Sequence, residues 1–150
     1  MLAFTARIFT AAIPAAFAVL LLAGCSNSGS GAPANLVKTV TLSGAEENPP
    51  VTTAAAGTGS FTFDLNSGAV SGSVNTFGIT ANAAHIHEGA VGVNAPVIVP
   101  LTQDAPGVWS VPPGMALSPS QLDSLRAGNL YVNVHSTANP GGEIRGQMTK

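Results

Sequence analysis

The chain has 150 residues, of which 45% are hydrophobic, 8% charged and 5% aromatic, with 17 Gly and 11 Pro. That length suits one core, and so much Gly and Pro argues against a helical bundle, because both residues break helices. Five basic residues against seven acidic ones give a net charge of -2 with no Lys/Arg cluster, so the counterion release that drives nucleic-acid binding is missing and nucleic acid is excluded as a partner.

In chain order, Arg7 precedes an apolar run from Ile8 to Ala23, the charged-then-apolar layout of a secretory signal. The run ends in Leu22-Ala23-Gly24-Cys25, which is similar to the lipobox of bacterial lipoproteins, where the cysteine thiol receives a diacylglycerol. Residues 1–24 are therefore expected to be a lipoprotein signal peptide and Cys25 the lipidation site. Residues 25–35 then form a flexible tether, since Ser26 to Pro33 is polar and glycine-rich. The expected location is the bacterial cell envelope, with the membrane as a partner through the lipid and the domain facing outside the cytoplasm. Ser26 stands where many lipoproteins kept at the inner membrane carry Asp, which favours the outer membrane or periplasm in a two-membrane cell. The chain has one cysteine, so the domain over 36–150 has to be stable without a disulfide.

Alternating apolar and polar residues mark strands at Lys38 to Leu42 and Ser60 to Leu65, where Phe61, Phe63 and Leu65 share a face. Asn66-Ser67-Gly68 reads as a tight turn into a strand over Ala69 to Val74, because Asn and Gly tolerate positive φ. Further strands are expected at Ala83 to Glu88, Val97 to Leu101, Gly107 to Val111, Asn129 to His135 and Glu143 to Thr149, each bounded by Gly, Pro, Asn or Asp. About eight short strands predict an all-β fold, an antiparallel β-sandwich or Greek-key barrel. Between them, Ser118 to Gly128 has a Ser N-cap, Pro at the first helical position, Gln at the capping-box position and Gly past the end. The spacing predicts one short crossover helix docked through Leu122 and Leu125.

All three histidines of the chain fall in two of these strands. Side chains two apart on a strand point the same way, so His85 and His87 share one face and Ile86 takes the other. In the second strand Leu130, Val132 and Val134 form the apolar face, leaving Tyr131, Asn133 and His135 on the polar one. If the strands are neighbours, three imidazoles converge. Such a set suits copper or zinc rather than Mg²⁺ or Ca²⁺, with Glu88 and Glu143 as a carboxylate ligand or as partners orienting an imidazole N–H. The other reading makes the histidines structural or ligand-contacting residues.

The last hairpin turns at Ala138-Asn139-Pro140-Gly141-Gly142 and continues as Glu143-Ile144-Arg145. Ile144 is expected in the core, with Glu143 and Arg145 on the polar face of His135 and Asn133. Arg145 then either pairs with Glu143 or Glu88 across strands or serves as an anion or partner contact through its planar fork. Trp109 and Tyr131 are read as packing residues. With Cys25 assigned to the lipid, no thiol nucleophile remains, and there is no Gly-x-Ser-x-Gly elbow or phosphate-binding Gly-Lys-Ser/Thr loop, so catalytic residues are expected to be none.

Several stretches together resemble the CHRD (chordin-type) domain. They are Leu42 to Pro50, Ala84 to Gly89 with Gly92 to Val97, and Ala127 to Ser136 running into Asn139 to Gln147, spanning about residues 37 to 148. The resemblance implies an extracellular interaction module and no general enzymatic role. A looser similarity, the His-x-His-Glu strand motif, is to copper/zinc superoxide dismutases, whose other metal-bridging residues and disulfide have no counterparts here. The expected function is a lipid-anchored extracytoplasmic binding module engaging an envelope protein, a polymer or a metal. The alternative is a copper- or zinc-binding metalloprotein, for metal handling or dismutase-like redox chemistry, built on His85, His87 and His135.

Overall fold

The computed structural model describes residues 34–149, so the expected signal peptide, Cys25 and most of the expected tether lie outside the described residues. The strands are β1 (Asn35–Ser43), β2 (Ala56–Asp64), β3 (Val70–Phe77), β4 (Ala81–Glu88), β5 (Val97–Pro100), β6 (Thr102–Ala105), β7 (Val108–Ser110), β8 (Leu130–Ser136) and β9 (Ile144–Gln147), with one helix, α1 (Pro119–Ala127). All pair antiparallel in one sheet of order β5-β4-β8-β9-β1-β2-β3-β7-β6. The two edge strands, β5 and β6, are joined by Leu101 alone, so the sheet has to curl until its ends meet in a nearly closed barrel. Leu101 N–H donates to the Ala84 carbonyl at 2.9 Å, fastening that joint to β4.

The alternation read from the sequence sets the inside of the barrel. Phe61, Phe63, Ile86, Leu130, Val132, Val134 and Ile144 are fully buried in one core, each contributing roughly 1.5–3 kcal/mol by leaving water. The β2–β3 turn uses the Asp64 carboxylate as acceptor for the Asn66 and Ser67 N–H groups, and Gly68 takes a φ of 78°. The helix begins at the expected capping box, with Ser118 Oγ accepting from Gln121 N–H and Gln121 Oε1 accepting from Ser118 N–H. It ends at left-handed Gly128 and buries Leu122 and Leu125. The structure adds one strand to the expected set: β6, Thr-Gln-Asp-Ala, is exposed at all four positions and carries no alternation to announce it. Among the described residues no helix is long and apolar enough to cross a membrane.

Candidate metal centre

Strands β4 and β8 are neighbours, with His85 opposite Asn133, His87 opposite Tyr131 and Ala83 opposite His135. On the other side of β8, Asn133 faces Arg145 and Tyr131 faces Gln147 on β9. Because Ile86, Val132 and Val134 fill the barrel, period-two alternation leaves His85, His87, Tyr131, Asn133, His135 and Arg145 as one polar layer on its outside.

In that layer the three imidazoles meet. One potential ligand nitrogen from each lies within 4.8 Å of the others, and ring centroids are 5.0 Å apart for His85 and His135, 5.7 Å for His85 and His87 and 6.4 Å for His87 and His135. The outer nitrogens of two of them are held by backbone carbonyls. His87 Nδ1 faces Ala95 O at 2.8 Å and His135 Nδ1 faces Pro140 O at 3.1 Å, so both Nδ1 atoms carry the proton and both Nε2 atoms keep a lone pair. His85 Nδ1 lies 3.1 Å from His135 Nε2 and donates to it. His87 Nε2 is buried and has no hydrogen-bond partner. Burial holds all three imidazoles below their usual pKa, against the carbonyl bonds that pull His87 and His135 upward, and the neighbouring imidazoles add to the lowering at His85. The result is three neutral rings around one space, with lone pairs at His87 Nε2 and His135 Nε2 and a third available at His85 Nδ1 once its proton shifts to Nε2; the neutral imidazole is the protonation state that a transition metal requires.

Arg145 is 1% exposed, and its expected ion pair with Glu143 or Glu88 does not form; Arg126 with Asp123 is the only ion pair among the described residues. Its guanidinium instead donates to the carbonyls of Ala90 and Val93 and to Gln147 Oε1, each at 3.1 Å. Its Cζ sits 3.5 Å from the centroid of Tyr131, and the other neighbour of that ring is His87, stacked parallel at 4.8 Å. Tyr131, read from the sequence as packing, is thus the middle layer of a guanidinium, phenol and imidazole stack. Its hydroxyl accepts from Ala95 N–H, so the loop over 89–96 is strapped down by Arg145, Tyr131 and His87 together.

The two carboxylates expected beside the imidazoles are elsewhere. Glu88 lies on the opposite face of β4 from His87, accepting from Ser124 of α1 at 2.6 Å. That follows from the strand period, because adjacent residues alternate. Glu143 accepts from Thr53 Oγ1 at 2.8 Å and from Ser136 Oγ; these bonds hold its carboxylate below its usual range. Asn133 is buried between the two strands, its Oδ1 without a partner.

Sequence reasoning missed Glu47. The turn after β1 buries it beside Gly142, where an added Cβ would meet both Asn133 amide atoms at 2.5 Å and Glu47 Oε1 at 2.6 Å. Burial pushes its carboxyl up to about 7, even though Arg145 and the Asn48 N–H pull the other way. The only signal for it was its place in the Leu42 to Pro50 stretch. Glu47 also walls a groove of about 340 Å³ between the Asn48-Pro49 turn and the β8–β9 hairpin.

The family model described as CHRD domain matches residues 38–148. No curated protein and no solved structure matches the chain.

Proposed function

The chain belongs to the CHRD domain family, and from that premise we propose that its folded part is an extracytoplasmic binding module whose ligand site is the His85, His87 and His135 cluster, taking copper or zinc without turnover. The observation that carries this reading is the convergence of three neutral imidazoles, one of whose nitrogens, His87 Nε2, is buried with nothing to bond. A lone pair left unpaired in a protein interior costs roughly 1–3 kcal/mol, and a metal ion is the partner that satisfies it while displacing the His85 to His135 hydrogen bond. The Ala95 and Pro140 carbonyls orient the rings for that ion. Cys25 would hold the module to the bacterial envelope through its lipid, and the tether over 25–35 would give it reach.

Calorimetric titration of the full chain with copper and with zinc at neutral pH tests the reading. We expect one equivalent of submicromolar binding, weakened at least about tenfold by each of His85→Ala, His87→Ala and His135→Ala. Weak uptake without stoichiometry, unchanged by the substitutions, would remove the metal. A second reading then takes over, engagement of an envelope protein or polymer, favoured by exposed Val91, Val93 and Val97 on and beside the 89–96 loop.

A further inference from the structure

Resting on the metal site above, we propose that the tri-histidine centre selects the cuprous ion over divalent zinc and cupric copper, and that the buried cation of Arg145 sets this preference.

The donors are three neutral imidazoles, and neither expected carboxylate reaches them: Glu88 is on the far face of β4 with Ser124, and Glu143 is engaged by Thr53 and Ser136. No donor is a carboxylate, so the ligands leave an entering ion's charge uncompensated, and the buried carboxyl of Glu47, in the field of Arg145, is held protonated by its burial below about pH 7. The cost of taking a charge out of water rises with the square of that charge, so a divalent ion is penalised far more than a monovalent one.

Arg145 is 1% exposed and forms no ion pair among the described residues. It reaches His87 through a single aromatic ring, 3.5 Å from guanidinium carbon to the Tyr131 centroid and 4.8 Å from that centroid to the His87 ring. Strands β9 and β4 flank β8, so guanidinium and imidazole approach Tyr131 from its two sides. A fixed positive charge repels any cation at the imidazole in proportion to that cation's charge, twice as much for Zn²⁺ or Cu²⁺ as for Cu⁺. Burial keeps salt and water from screening the effect. Four bonds from loop carbonyls and side chains, to Ala90, Val93, Asn94 and Gln147, hold the guanidinium in place.

On three nitrogens zinc still needs a water to complete its tetrahedron and cupric copper needs more to complete a tetragonal set, whereas a cuprous ion is satisfied by the three that the site supplies.

The test is anaerobic competition on the full chain, Cu(I) against a bicinchoninate chelator and Zn(II) against a chromophoric one, giving the ratio of the two dissociation constants. Arg145→Gln is expected to shift that ratio toward zinc by about tenfold, while Arg145→Lys keeps most of it. Damage to the fold would weaken both ions together and leave the ratio where it was. A measurement on the unaltered chain covers the case in which the variants do not fold: the midpoint potential of its bound copper should lie above that of copper in excess free imidazole, which offers the same type of donor without the guanidinium. An unchanged ratio in an Arg145→Gln chain whose thermal unfolding matches that of the unaltered chain, or a midpoint at or below the imidazole reference, overturns the role of Arg145 in selectivity while leaving the metal site intact. Failure of the unaltered chain to bind any of these ions overturns the metal site itself, and the selectivity with it.

Discussion

Glu47 and the three histidines titrate in opposite directions on folding. Glu47 is raised from 4.5 to about 7, so between those values the folded chain holds a proton that the unfolded chain has released. Its stabilising share is therefore complete below about pH 4.5 and lost as pH rises through about 7. The histidines are lowered from 6.5; their share is present above that value and lost as pH falls beneath it. Comparing the chain with Glu47→Gln separates the two. The thermal midpoint of the unaltered protein should fall relative to that of Glu47→Gln between about pH 5 and about pH 8, and parallel curves would remove Glu47 as the titrating group. At this scale the sequence was legible wherever alternation decides: His85, His87 and His135 were read onto one face because Ile86, Val132 and Val134 had to face inward. Glu88 was misplaced by the same rule left unapplied, and Glu47 was invisible because the turn that buries it has no period. Arg145 was assigned to the right face but read as a carboxylate's partner or as an anion or partner contact, since no spacing announces that a loop will lend its carbonyls instead.

Among the elements, α1 was the most readable, because its boundary signals are local chemistry: a hydroxyl, a proline, an amide and a glycine at fixed offsets. The cap is testable by itself. Ser118→Ala removes the acceptor for Gln121 N–H and should cost about 1 kcal/mol in denaturant unfolding, with metal affinity unchanged. The strands were legible where one face is buried, as in β2 and β8. Strand β6 was not, because all four of its residues face water and pairing with β7 rather than burial makes it a strand. The all-β antiparallel class was legible too, but sandwich and barrel stayed open as alternatives, since the choice depends on which strands become edges.

For the whole molecule, stability should be graded around the barrel. Strands β8 and β1 are flanked on both sides and line the core, whereas β5 and β6 each have one neighbour. Native-state amide exchange should be slowest in β8 and fastest in β6. Uniform protection around the sheet would show that the ends of the barrel are bonded more tightly than their pairing implies.

The single-residue joint at Leu101 has one more consequence, for behaviour at high local density. An open sheet of nine strands would present two long unpaired margins, each a template on which another copy could add its own strand and start a fibril. Here both margins are four residues long, meet at one bend, and carry Pro100 on one side and Asp104 on the other. Proline cannot donate to an incoming strand, and a carboxylate repels one that stacks in register. A domain confined to a crowded surface would be guarded in this way against templated self-association.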